Sequence, residues 1–181
     1  KTPGRTQLIN YFDIGGGLHI VDLPGYGYAK VPAAIRAPWE RLLGDYLLAR
    51  QSLKGMVVIM DARHPLTELD LRLFEWFQPA GKPVHVLLSK SDKLTRAESV
   101  ATLRAVRDEL SRLSPLYSVQ LFSSLKKTGI EEAERVFAAW LGIELKPAES
   151  RRVSKAGGAT PRPRATARPG HLMKARPKQG K

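Results

Sequence analysis

Apolar runs alternate with stretches of helical periodicity along most of the chain, and the two rhythms predict its elements. Leu8–Asp13 (LINYFD) and Leu18–Asp22 (LHIVD) read as two strands, with Gly15-Gly16-Gly17 between them making a hairpin. Pro24 to Pro32 is loop, rich in glycine, tyrosine and proline. From Ala33 to Arg50 the residues Trp39, Leu42, Leu43, Tyr46 and Leu47 recur at helical spacing. Met56–Met60 (MVVIM) is a continuous apolar run, the pattern of a strand buried on both faces. Thr67, with Asp70 three residues on, predicts a capped helix to about Gln78. Val84–Leu88 (VHVLL) is another buried strand. Thr95 and Glu98 form a capping box for a helix to about Leu113, and Val119–Phe122 is a last short strand. Thr128 and Glu131 form a second box, for a helix to about Leu141 with Gly142 as its stop.

After the hairpin, strands and helices alternate at helix-length spacing. That order predicts an α/β fold with a mostly parallel sheet and helices on both faces. Such sheets bind ligands at loops beyond the carboxyl ends of their strands. The informative loops are therefore those after Val21, Met60, Leu88 and Phe122.

Charge divides the chain unevenly. The formal net charge is +13, of which residues 151–181 carry +10, with ten Lys/Arg and no Asp/Glu. Pro161, Pro163, Pro169 and Pro177 interrupt this stretch and large apolar residues almost vanish. Such a segment buries too little surface to offset its ordering entropy, so residues 146–181 are expected to be a disordered basic tail behind a folded domain at 1–145. Its charge points to a polyanion partner, and its lack of aromatics argues against base stacking. The absence of cysteine excludes disulfides and thiolate metal sites. No apolar run is long enough to cross a bilayer and no signal-peptide pattern occurs, so a soluble, cytoplasmic protein is expected. The sequence opens at Lys1, without Met and directly in a motif-like stretch, which suggests truncation.

Four short patterns carry candidate chemistry. Asp22-Leu23-Pro24-Gly25 follows the second strand as D-x-x-G: the Asp22 carboxylate can hold Mg²⁺, usually through a water, and Gly25 lets its N–H approach a γ-phosphate. Ser89-Lys90-Ser91-Asp92 follows the strand Val84–Leu88. Asp92 can accept from N1–H and the exocyclic amine of guanine, whereas adenine would leave the carboxylate unpaired. The stem of Lys90 can cover the face of the base while its ammonium stays polar. Phe122-Ser123-Ser124 follows the final strand, where backbone N–H groups could meet guanine O6. In Thr2-Pro3-Gly4-Arg5-Thr6 a threonine hydroxyl could coordinate Mg²⁺. Each alone is also an ordinary polar turn. Their joint order, with three of them at strand ends, favours a nucleotide site.

The stretches KTPGRTQLIN, VDLPGYGYAKVP, MDARHPLTELD, SKSDKLT and FSSLKKTG resemble the EngB (YihA/YsxC) family of bacterial ribosome-assembly GTPases over residues 1 to about 142. The resemblance implies a P-loop NTPase-type G domain, GTP and GDP as ligands, GTP hydrolysis with Mg²⁺ as cofactor, and a switch role in assembling the large ribosomal subunit, with an association with septation in cell division. It implies that Thr6 is the switch threonine that ligates Mg²⁺ and that Gly4, Arg5, Gln7 and Leu8 contact nucleotide around it. Asp22, Leu23, Pro24 and Gly25 match the second switch, Ser89 to Asp92 the base motif, and Phe122, Ser123 and Ser124 the last guanine-contacting loop. The family more often has Thr at the position of Ser89; Ser keeps the hydroxyl. Ribosomal RNA is the expected partner of the tail 151–181, and the protein is expected to be monomeric.

Two departures bear on mechanism. Tyr26 stands where many G proteins place a water-orienting Gln after D-x-x-G, which implies slow intrinsic hydrolysis. No G-x-x-x-x-G-K-S/T occurs in these 181 residues. In the family that loop and the first strand precede the position of Lys1, and the strand lies between those ending at Asp22 and Asp61. Without it this chain is expected to fold poorly and to bind GTP weakly or not at all, so the GTPase activity belongs to the full-length protein. The competing reading is a non-catalytic RNA- or ribosome-binding module on a degenerate G-domain scaffold. A small-molecule enzyme on a Rossmann-like sheet is disfavoured, since neither G-x-G-x-x-G nor a catalytic triad occurs. His64 and His85 carry no catalytic expectation.

Overall fold

Leu18-His-Ile-Val-Asp pairs back on the preceding apolar stretch, so the chain opens with a hairpin. In the computed structural model, which describes residues 9–23, 47 and 50–145, β1 (Asn10–Gly15) and β2 (Leu18–Asp22) are antiparallel, with Asn10 opposite Asp22. Gly15, Gly16 and Gly17 all take positive φ, which is why three glycines sit at this turn. The first strand starts two residues later than its sequence pattern predicts. Of the helix expected over 33–50, Leu47 is helical and buried and Arg50 is not helical; residues 33–46, 48 and 49, like the loop 24–32 and the tail 146–181, lie outside the described residues.

A second sheet holds β3 (Met56–Asp61), β4 (Val84–Ser89) and β5 (Tyr117–Leu121), all parallel, in the order β3-β4-β5. Helix α1 (Glu68–Phe77) connects the first pair and α2 (Arg96–Leu113) the second; α3 (Ile130–Leu141) follows β5. Thr67 and Asp70 cap α1 reciprocally, as do Thr95 and Glu98 for α2. Each such cap stabilises its helix by about 1 kcal/mol.

Strand alternation sorts the core. Met56, Val58, Met60, Val84, Val86, Leu88, Tyr117 and Val119 face α1 and α2, meeting Phe74 and Phe77 from one and Val106 and Leu110 from the other. Phe74 and Phe77 are fully buried, worth about 1.5–3 kcal/mol each. On the opposite face His85 packs edge-on to Phe137 and Trp140 of α3. Helices thus cover both faces, as the pattern predicts. His85 is a structural node: Gln120 Nε2 donates to Gly129 O at 2.6 Å, which turns the amide oxygen to His85 Nε2 at 2.8 Å. That nitrogen therefore carries the proton, while Nδ1 faces Ser118 Oγ at 2.8 Å.

Three sequence expectations are corrected. β3 is buried on one face only: Val57 and Ile59 are 39% and 65% exposed, whereas on the same side of the sheet α3 packs Phe137 and Trp140 on His85 of β4. Helix α3 has no capping box at Thr128. Gly129 is its N-cap, at φ 78, and Thr128 exchanges two backbone hydrogen bonds with Ser123 instead. The last strand spans Tyr117–Leu121 rather than Val119–Phe122. Among the described residues no helix is long and apolar enough to cross a membrane.

Candidate nucleotide site

The parallel register brings the carboxyl ends of β3, β4 and β5 to one edge, and their loops are tied together there. Asp61 lies opposite Ser89, and Leu88 opposite Leu121. Ser89 Oγ donates to Met60 O at 2.8 Å and Ala62 N donates to Ser89 O at 2.8 Å. Ser91 donates to Phe122 O through both its N–H (3.2 Å) and its hydroxyl (3.0 Å), and Phe122 N donates to Leu88 O at 2.9 Å. The result is a rigid shelf.

Ser89-Lys90-Ser91-Asp92 makes the centre of the shelf. Lys90 adopts a left-handed conformation, φ 58, which turns the chain into a single 3₁₀ turn over Ser91–Lys93. This conformation is unfavourable for a residue with a Cβ and is held by the surrounding hydrogen bonds, Lys93 N to Lys90 O among them. The turn sets Asp92 beside the loop after β5. Its side chain is 8% exposed, and Ser123 Oγ donates to its Oδ1 at 2.5 Å. Ser123 is itself buried, and its hydroxyl also accepts from Lys126 N at 3.1 Å. The Asp92 carboxyl is held below its ordinary range, first by the Ser123 hydroxyl and then by its own backbone N–H and the charges of Lys93 and Lys126, against the opposing effect of desolvation. It is an ionised acceptor with one oxygen bound inside the protein.

Asp61, at the end of β3, is a functional residue that the sequence patterns do not single out. Its carboxylate accepts from Arg63 N, Nε and Nη2 at 3.1, 2.9 and 2.6 Å, and from Lys90 Nζ at 3.0 Å. The Arg63 side chain chiefly, then Lys90, holds the Asp61 carboxyl far below the usual carboxylate range, although burial works the other way. Its strand-end position in D-A-R-H-P was the available signal.

The remaining predicted residues are distributed differently. The N–H groups of Phe122 and Ser123 are used inside the protein, by Leu88 O and Thr128 O. Asp22 ends β2, in the hairpin sheet, with Asn10 Nδ2 at 3.5 Å; Leu23 packs against the core of the parallel sheet. Gly4, Arg5, Thr6, Gln7, Leu8, Pro24, Gly25 and Tyr26 lie outside the described residues. Among the described residues no group of three or more His, Asp or Glu could cage a metal. The single carboxylate of Asp22 fits a Mg²⁺ that is carried on phosphates and keeps most of its water, the usual mode for this ion with nucleotides.

A protein-family model described as "50S ribosome-binding GTPase" matches residues 1–90. A curated relative from Dechloromonas aromatica (strain RCB), named probable GTP-binding protein EngB, is 60% identical over 153 residues, covering 83% of this chain and 70% of that protein. A relative of the same name from Neisseria meningitidis serogroup B is 58% identical over 143 residues, 78% of this chain and 68% of its own length. Among solved structures, a probable GTP-binding protein engB superposes with a TM-score of 0.59 at 13% identity, covering 75% of this chain and 84% of that one. The elongation factor SelB from Methanococcus maripaludis, in complex with the GTP analogue GppNHp, superposes at 0.54 and 18% identity, over 78% of this chain and 30% of its own. Both share the G-domain fold.

Proposed function

The chain belongs to the EngB family of GTP-binding proteins, and on that premise we propose that its full-length form is a GTPase whose guanine base lies on the shelf built from the loops after β4 and β5. The observation that carries this reading is the ionised Asp92, fixed by Ser123 at Oδ1, while Oδ2, 4.0 Å from Lys93 Nζ, would accept from N1–H and the exocyclic amine of guanine. Lys90 lies against the base, and the amide of Ser124 takes guanine O6, since those of Phe122 and Ser123 are already bonded. Asp22, through water, and Thr6 hold the Mg²⁺ that accompanies the phosphates; Gly4 to Leu8 and Leu23 to Gly25 contact the nucleotide around it.

The activity is GTP hydrolysis to GDP and phosphate, used as a switch in large ribosomal subunit assembly in the cytoplasm and linked to septation. The description of the matching family supports a ribosomal setting. Tyr26 in place of Gln implies slow turnover until a ribosomal partner orients the water. These 181 residues contain no phosphate-loop pattern, and we assign tight triphosphate binding to the full-length protein. The basic segment 151–181 contacts rRNA phosphates, and the domain 1–145 acts as a monomer.

Calorimetric titration of the full-length protein tests the reading. GTP and GDP are expected to bind and ATP not to, and Asp92→Ala is expected to abolish the preference. Equal binding of ATP by the wild type would contradict it.

A further inference from the structure

Lys90 is anchored at both ends. Its backbone is locked by the left-handed turn that opens the Ser91–Lys93 helix, and its ammonium donates to Asp61 Oδ2 at 3.0 Å across 29 residues of sequence. The side chain therefore bridges the loop after β4 to the carboxyl end of β3. Arg63 grips both oxygens of the carboxylate, Nε donating to Oδ1 and Nη2 to Oδ2, the oxygen Lys90 also meets, so Asp61 is oriented independently of Lys90. Parallel register provides the alignment, because Asp61 is opposite Ser89, one residue before Lys90.

We propose that Asp61, braced by Arg63, is a positioning residue for the base site: it restrains the Lys90 stem in advance on the shelf that receives the purine. This rests on the guanine-site reading. The physical reason is entropic. A lysine side chain is rich in rotamers, and one that is loose must be immobilised when a planar ligand packs on its stem, at the expense of affinity. The ion pair is partly exposed and contributes little to folding by itself. Its effect should appear in nucleotide affinity.

The test is a double-mutant cycle on the full-length protein, read by titration with a fluorescent GDP analogue. Asp61→Asn is expected to weaken GDP binding about fivefold, and Lys90→Met at least as much. The double variant should be no weaker than Lys90→Met alone, since Asp61 acts only through Lys90. Asp61→Glu keeps the charge within reach of the ammonium and should recover most of the loss, which separates positioning from a folding defect. The preference for GDP over ADP should survive Asp61→Asn, because Asp92 sets it. The proposal is overturned if folded Asp61→Asn binds GDP like the wild type, or if the two single losses multiply. Asp92→Ala is the control: if it leaves GDP affinity unchanged, the base-site reading fails, and this inference with it.

Discussion

Ser123 Oγ stands 2.5 Å from Asp92 Oδ1 and donates a hydrogen bond to it, joining the loops after β5 and β4 across 31 residues of sequence. The contact orients a carboxylate whose task in this account is to read the edge of a base. Ser123→Ala should leave the fold intact and weaken GDP binding about tenfold, since hydrogen bonds to charged groups are the stronger ones. Titration with a fluorescent GDP analogue measures this; unchanged affinity would show that Asp92 needs no such brace.

Gly129 is held at φ 78 under the end of β5, where an added Cβ would collide with Leu121 O and stand 2.6 Å from Gln120 Nε2. The left-handed conformation alone costs a residue with a Cβ about 1–2 kcal/mol. Gly129→Ala should destabilise the protein by about 2 kcal/mol or more in urea titration, because it also disturbs the Gln120 amide that orients His85.

Tyr117 makes the opposite case. Its hydroxyl is buried without a hydrogen-bond partner among the described residues, its ring packs on Phe74 at 5.7 Å, and burial raises its pKa. Tyr117→Phe removes an unpaired polar group while keeping the ring, so stability should hold or rise by up to about 1 kcal/mol. A loss of more than that would reveal a partner for the hydroxyl.

Local signals in the sequence were readable and long-range ones were not. Thr67/Asp70 and Thr95/Glu98 announced their helices because both halves of a capping box lie within one turn. Thr128 carried the same signature and failed, because Ser123 claimed its backbone in a bridge that no local rule contains. The run Met56–Met60 marks a strand correctly but says nothing about which neighbour covers each face, so the exposure of Val57 and Ile59 is not legible in it. The base motif Ser89–Asp92 was legible from its residues. Asp61 was not, since its pairing with Lys90 exists only once β3 and β4 are set in register.

The pH dependence of the Asp61 cluster follows from the sign of its shift. The carboxyl is lower in the folded state than in the unfolded chain, so its contribution is fully present above the unfolded value near pH 4 and is lost as pH falls below it toward the folded value. The stability gap between wild type and Asp61→Asn should therefore be constant from pH 8 to about 5 and shrink below about 4. Urea midpoints measured across this range would show it; a gap that widens in acid would contradict the assignment.

Changing the base and the carboxylate together tests the central claim most directly. Xanthine carries an oxygen where guanine carries its exocyclic amine, so an amide at position 92 can donate where Asp92 accepts. The measurement is the affinity of the full-length protein for GDP and for xanthosine diphosphate, in the wild type and in Asp92→Asn. The wild type is expected to prefer GDP, and Asp92→Asn to lose it and gain xanthosine diphosphate. If Asp92→Asn keeps its GDP affinity and gains nothing for the xanthine nucleotide, Asp92 does not read the base, and the shelf it sits on is not the guanine site.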